Sequence, residues 1–127
     1  MRARISQRAV VEAVAELVEQ SDWVTFVQLA QFLESLDIPC RGEVNLAMSC
    51  DPNVVLWSGM SAQMTEVVLS LLDTRRIFAH RSSVAAYHVH GGALSLPLAD
   101  SPAPGGLPRP HWLPVAFRVV PPGWAMH

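Results

Sequence analysis

Four side chains near the middle of the sequence have the chemistry needed to bind an anion. Arg75, Arg76, His80 and Arg81 lie close together along the chain. An arginine guanidinium offers paired donors that match the oxygens of a phosphate or a carboxylate, so this basic cluster predicts a site for nucleic acid or for an acidic partner. The alternative is that all four are solvated surface groups and that the first two only stabilise the carboxyl end of a helix.

A second arrangement, His88-x-His90, would place two imidazoles on the same face of a strand, a spacing that metal sites use. A metal site would need two further ligands, and the sequence has no second paired motif and no Cys-x-x-Cys. Cys40, Cys50 and His80 would have to be brought there by the fold. We therefore expect ordinary histidines on a surface or edge strand, with no metal and no cofactor.

Catalytic motifs are missing from the sequence. It contains no glycine-rich phosphate loop, no Gly-x-Ser-x-Gly and no His-Glu-x-x-His. A Cys–His dyad using Cys40 or Cys50 is an alternative, but the ordinary state of such a residue is a buried, unreactive thiol. We expect two buried free thiols and a protein that is not an enzyme.

The composition is that of a folded, single-domain protein. Apolar residues make up 50% of the 127 residues and charged residues 16%, with a net charge of −2. This charge argues against nucleic-acid binding by the whole surface, because phosphate contacts require concentrated basic residues. No apolar stretch is long enough to span a membrane and no apolar leader is visible, so we expect a cytoplasmic protein without membrane contacts.

Residues 1–92 predict a mainly helical domain closed by a β-hairpin. Thr25 and Gln28 match the capping box that starts a helix, and Pro39 prevents that helix from continuing. The expected elements, in order, are helices over residues 6–20, 25–36 and 43–50, a turn at 51–53, a strand over 54–57, a turn at 58–59, a helix over 61–74 and a hairpin of strands 77–81 and 84–90.

Residues 93–127 have a different composition, with many prolines and glycines followed by one more apolar stretch. The prolines predict an extended connector, and the alternating apolar residues of 111–120 predict a strand that returns to the body or docks on a partner. Trp112, Phe117 and Trp124 are candidates for a protein interface. The sequence gives equal support to a core position for the two tryptophans.

The order of these elements over residues 5–90 resembles that of winged-helix domains, so the expected fold class is α+β. In that family the last helix usually enters the DNA major groove and the hairpin, or wing, contacts the DNA backbone. The resemblance implies a recognition helix from Ser61 to Thr74 and a wing that carries residues 80–83. Gln63 would be a nucleic-acid contact, but its exposed neighbours Glu66 and Asp73 are negative where this family usually presents basic side chains.

Two functions therefore follow from the sequence. The first is a small winged-helix-like regulator that binds DNA through the arginine cluster. The alternative is an accessory or inhibitory module, of the phage or mobile-element type, that docks on a larger protein complex. A homodimer through the first helix is a further alternative, although Glu12, Glu16 and Glu19 would repel one another across a symmetric contact.

Overall fold

The computed structural model describes residues 6–89, 91–99 and 106–122, and these fold as a mixed α+β protein. The elements are α1 (Gln7–Ser21), β1 (Val24–Thr25), α2 (Phe26–Ser35), β2 (Arg41–Met48), β3 (Asp51–Met60), α3 (Ala62–Asp73), β4 (Phe78–Arg81), α4 (Val84–Val89), β5 (His111–Trp112) and β6 (Val115–Arg118). Among these described helices, none combines the length and the apolar character that a membrane span requires.

The strands form two small sheets. In the first sheet β6 lies between β1 and β4 and is antiparallel to both. In the second, β3 lies between β2, which is antiparallel to it, and β5, which is parallel to it. The expected return of residues 111–120 to the body is confirmed, and strands from both sides of the boundary at residue 92 share each sheet.

The helix starts follow from local sequence, as expected. The Thr25 hydroxyl accepts a hydrogen bond from the Gln28 backbone N–H, and the Gln28 side chain accepts one from the Thr25 backbone N–H, which confirms the capping box. Ser61 caps α3 in the same way by accepting from the Met64 N–H. These caps satisfy backbone donors that would otherwise lack partners at the first turn.

Five aromatic residues hold the two sheets and α4 together. The Trp57 ring stacks on Phe26 at 5.7 Å and on Tyr87 at 5.2 Å, and the Tyr87 ring meets the edge of Trp112 at 4.9 Å. Phe26 also contacts Phe117. Because these rings come from α2, β3, α4, β5 and β6, the core depends on the packing of both ends of the chain.

The Tyr87 hydroxyl is the polar centre of this core. It donates to the Val115 carbonyl at 2.6 Å and accepts from the Phe26 N–H at 3.3 Å, so one buried oxygen joins α4, β6 and the start of α2. Burial raises the pKa of this phenol well above its usual value, since the charged form would lose its hydration. The hydroxyl therefore acts as a neutral structural link.

The helix expected over residues 43–50 is wrong, because this segment is strand β2. Val44, Leu46 and Met48 are buried or partly buried and lie two residues apart, which is the period of a strand. The spacing of Val44, Ala47 and Met48 suggests a helix equally well, and the pairing of β2 with β3 decides the outcome. The turns expected at 51–53 and 58–59 are also wrong: the chain turns at residues 49–50, and β3 runs from Asp51 to Met60.

The β2–β3 hairpin is inserted between α2 and α3, and its two ends meet. The Ser61 N–H donates to the Cys40 carbonyl at 2.8 Å, and the Ser61 hydroxyl donates to the Pro39 carbonyl at 2.7 Å. Next to this closure, a Cβ on Gly42 would lie 2.4 Å from the Met60 carbonyl oxygen, so only glycine fits there. We name this closure between residues 39–40 and Ser61 the clasp. The chain leaves α2 just before it and enters α3 just after it.

The hairpin expected from residues 77–81 and 84–90 is also wrong. Residues 78–81 form β4, but Val84–Val89 form α4, and β4 pairs instead with β6. The Ser83 hydroxyl accepts from the Ala86 N–H and starts the helix, and the inward face of α4 buries Tyr87. The apolar stretch Val115–Phe117 is a better buried partner for β4 than the short, alanine-rich segment is.

Hydrogen bonds hold the connector at Leu107, shortly before β5 begins. The buried Asp51 carboxylate accepts from the Asn53 and Leu107 backbone N–H groups, and the Asn53 side chain donates to the Leu107 carbonyl at 2.7 Å. Leu98 forms an isolated bridge with Trp112. These contacts hold Leu98 and Leu107 against the strands of the second sheet.

Replacing Tyr87 by Phe should lower the free energy of unfolding by about 1–3 kcal/mol, because the Val115 carbonyl and the Phe26 N–H would lose their buried partner. Urea unfolding followed by tryptophan fluorescence measures this change. The control is His88→Ala, an exposed position on the same helix, for which we expect a change within about 0.5 kcal/mol. Equal values for the two variants would show that the hydroxyl is not the link described.

Candidate functional site

The basic cluster predicted from the sequence is not gathered into one site. Arg75 and Arg76 precede β4 and Arg81 ends it, so the strand separates them by about 10 Å or more. Arg75 has a left-handed backbone, with φ of 57°, and ends α3: its N–H donates to the Leu72 carbonyl and the next N–H donates to the Leu71 carbonyl. The left-handed backbone of Arg75 is therefore explained by its role in ending α3.

Arg76 is held by an acidic partner. Its guanidinium donates two hydrogen bonds to the Glu12 carboxylate, at 2.5 and 2.9 Å, and so links the end of α3 to α1. These bonds hold the pKa of Glu12 below its usual value and raise that of Arg76. A phosphate would have to displace this carboxylate in order to bind Arg76.

His80 faces the protein and not solvent. Only 7% of the residue is exposed, and its Nε2 donates to the Val120 carbonyl at 2.6 Å. Its ring lies 5.4 Å from that of Trp23, edge to face. The imidazole therefore joins β4 to the Val120 backbone and is not presented to a partner.

Arg118, which the sequence analysis did not select, forms the second internal ion pair. It donates to both carboxylate oxygens of Asp22, at 2.8 and 3.0 Å, and its guanidinium lies 4.5 Å from the centre of the Trp23 ring. Asp22 and Trp23 both have positive φ, at 52° and 51°, an uncommon state for these residues. The paired arginine holds this turn and leaves Trp23 48% exposed.

The predicted protein-interface residues divide between core and undescribed chain. Trp112 is 1% exposed and Phe117 is fully buried, so both side chains belong to the core. The Trp112 Nε1 donates to the Leu56 carbonyl, which satisfies its buried polar atom. Trp124 lies outside the described residues.

The paired-histidine arrangement does not form on a strand. His88 lies on α4, which replaces the expected strand, and His90 lies outside the described residues. Throughout the described ranges no three His, Cys, Asp or Glu side chains are grouped so that they could hold a metal ion.

The outer face of α3 carries both polar and apolar exposed side chains. Gln63, Glu66, Ser70 and Asp73 are exposed, as their helical positions predict. Leu69, 37% exposed, lies between the two acidic residues on the same face. Neither carboxylate forms an ion pair or hydrogen bond with another residue of the described chain. This face therefore combines an apolar side chain with uncompensated negative charge.

Beside this face lies an apolar groove of about 370 Å³, which we name the hairpin groove. It runs between α3 and the tip of the β2–β3 hairpin. Its apolar lining consists of Leu46, Ala47, Met48, Leu56, Leu69 and Leu72, and its polar lining of Ser49, Cys50 and Asp73. The groove does not follow from the expected elements, because residues 43–50 are expected to be a helix where β2 forms one wall. The alternation of Val44, Leu46 and Met48 was the signal that could have indicated that wall.

The two cysteines lie in contrasting environments. Cys50 is exposed at the hairpin turn, which corrects the expectation of two buried thiols, and Cys40 is buried. The Cys40 thiol donates to the Ile38 carbonyl at 3.4 Å, and burial raises its pKa to about 11. Cys50 therefore offers a unique handle for labelling the groove in the folded protein.

We expect one thiol to react with Ellman's reagent within minutes at pH 8 and the second only after unfolding. With a pKa of about 11, roughly one Cys40 in a thousand is thiolate at that pH, and the residue is also buried. Absorbance at the thionitrobenzoate band measures both phases. Cys50→Ser should remove the fast phase and Cys40→Ser the slow one; two equally fast thiols would contradict the described burial.

The chain was compared with protein-family models, with curated proteins and with solved structures. None of the three comparisons finds a match. Functional inference for this chain therefore depends on its own residues, and the two exposed surfaces just described are the places where those residues could meet a partner.

Proposed function

We propose that this chain is a non-enzymatic protein-binding module that acts as an accessory or inhibitory subunit of a larger complex. The observation that carries the proposal is the outer face of α3, where Leu69 lies between Glu66 and Asp73 beside an apolar groove. Apolar side chains with an uncompensated charged rim are typical of surfaces that bind proteins.

The use of the arginines supports the same proposal. Two of the described arginines, Arg76 and Arg118, are bidentate partners of Glu12 and Asp22. These two positive charges are therefore already paired within the protein. DNA binding through the backbone requires arginines free to replace counterions, and the acidic residues of α3 would repel phosphates.

A second candidate function, DNA binding on a winged-helix-like frame, is favoured by the order of the elements. Apart from residues 41–60 and 82–114, the described elements are a helix, a short strand, two helices and two antiparallel strands. This order supports the resemblance to winged-helix domains. Arg75 and Arg81 are exposed and Gln63 lies on the outer face of α3, so these three side chains are the contacts that such a function would use.

A fluorescence-anisotropy titration with a labelled duplex of mixed sequence at low salt separates the two functions. We expect no saturable binding by the wild-type chain, because Glu66 and Asp73 face the position that DNA would occupy. Glu66→Arg/Asp73→Arg provides the matched comparison: this charge reversal on exposed helical positions should produce salt-sensitive binding. If the variant binds the duplex and the wild-type protein does not, the two carboxylates are what excludes DNA.

Salt-sensitive binding by the wild-type chain would overturn the protein-binding proposal. In that case Arg75→Gly/Arg81→Ala should abolish the binding if these residues are the contacts. Glycine is chosen at position 75 because it adopts the left-handed backbone found there, so the end of α3 is preserved.

A further inference from the structure

The hairpin groove has a defined floor and an accessible rim. Met48 and Leu56 are buried at its base, and Leu46, Ala47 and Leu72 are partly exposed in its walls. Leu69 forms the most exposed part of the apolar lining. A volume of about 370 Å³ lies at the small end of ligand pockets, so the groove suits a few apolar side chains of a protein segment better than a large cofactor.

The negative charge at the rim comes from Asp73, which lines the groove, and from Glu66 on the adjoining exposed face of α3, and it is not neutralised within the described chain. Glu66 and Asp73 are seven residues apart, which is two helical turns or about 10 Å along α3. Glu12 and Asp22 each have a bidentate arginine, whereas these two carboxylates have none. Arg75 is the nearest basic residue in sequence, but it forms no ion pair with either of them among the described residues. A partner with matching positive charges would therefore gain two contacts that the chain itself does not supply.

The free edge of β2 does not favour an added strand. β2 lies at the edge of its sheet, but its pairing with β3 changes register at four points between Arg41 and Met48. Such bulges bend a strand and interrupt the regular row of donors and acceptors that strand addition needs. A helix needs no such row, because its own backbone groups are already paired, and it binds through side chains at i, i+3, i+4 and i+7.

We infer that the hairpin groove binds an amphipathic, basic helix of a partner protein. The apolar side chains of this helix enter the groove beside Leu69, and Lys or Arg residues two turns apart pair with Glu66 and Asp73. This inference depends on the proposed protein-binding function and deepens it, since it names the surface and the chemistry of the partner segment.

Selection of displayed random peptides of about sixteen residues on the immobilised full chain tests this inference, since that length spans about 24 Å as a helix. We expect enriched peptides to carry Lys or Arg at a spacing of seven, with Leu, Ile, Met or Phe between them. A synthetic enriched peptide should change the emission of a fluorophore on Cys50, which lines the groove. Its affinity should fall about tenfold or more with Leu69→Asp.

Charge reversal provides the specificity test. Glu66→Lys/Asp73→Lys should lose the basic peptides and select acidic ones, because the rim would then be positive. The control is Glu16→Lys/Glu19→Lys, which makes the same charge change at exposed positions on α1 and should bind the basic peptides as the wild type does. Circular dichroism and thermal unfolding confirm that each variant is folded before the comparison.

The outcomes separate this inference from the function on which it depends. If enriched peptides bind Leu69→Asp with unchanged affinity and leave the Cys50 fluorophore unaffected, the groove and helix inference is overturned while protein binding stands. Selection of extended or acidic peptides by the wild type would also overturn it. If no peptide is enriched and the wild type binds duplex DNA at low salt, the protein-binding function itself is wrong.

Discussion

The pairing of β6 on both of its edges is the interaction on which the rest of the fold depends. β1 has two residues and β4 has four, and neither has another strand partner in the described chain. Without residues 115–118 between them there would be no first sheet for α1 to pack against. The Tyr87 hydroxyl and the aromatic cluster then join this sheet to the second one, because their contacts require β5 and β6 to be in place. Strands that precede and follow the proline-rich connector thus share the same two sheets.

The same architecture determines which charges remain for a partner. Arg76 ties α1 to the end of α3, and Arg118 ties the strained turn at Asp22 to β6. Arg76 belongs to the cluster that the sequence suggests for phosphate binding, whereas Arg118 does not. In the fold, each guanidinium donates two hydrogen bonds to one carboxylate and so stabilises the structure. Arg76 and Arg118 are thus paired within the molecule, whereas Glu66 and Asp73 of α3 have no such partner in the described chain. Electrostatics, more than element order, therefore separates the two functions considered.

Local signals made part of this structure predictable. The capping pair of Thr25 and Gln28 and the helices predicted over residues 6–20, 25–36 and 61–74 depend on signals that act over three or four residues, and the structure confirms them. The α+β class is also confirmed, although the hairpin that supported it is wrong. The exposed acidic positions of α3 were also predictable, because the apolar stripe fixes which side faces the core.

The remaining features depend on contacts between distant residues. Val44 to Met48 fit a helix or a strand, and only the partner strand β3 decides between them. The segment from Val84 forms a helix because β6, far along the chain, takes its expected place beside β4. The Glu12–Arg76 pair and the hairpin groove are invisible to any local pattern for the same reason, since each is formed by elements that the sequence separates.

The clasp at Cys40 and Ser61 has a consequence for how this protein can diversify. Because the chain leaves and re-enters the body at almost the same point, the β2–β3 hairpin can lengthen, shorten or change its tip without moving α2 or α3, and the entropic cost of a longer loop rises only slowly with its length. One wall of the groove is therefore free to vary while the aromatic core is preserved. Relatives of this chain that bind different partners are expected to differ first at the hairpin tip, around Ser49 and Cys50.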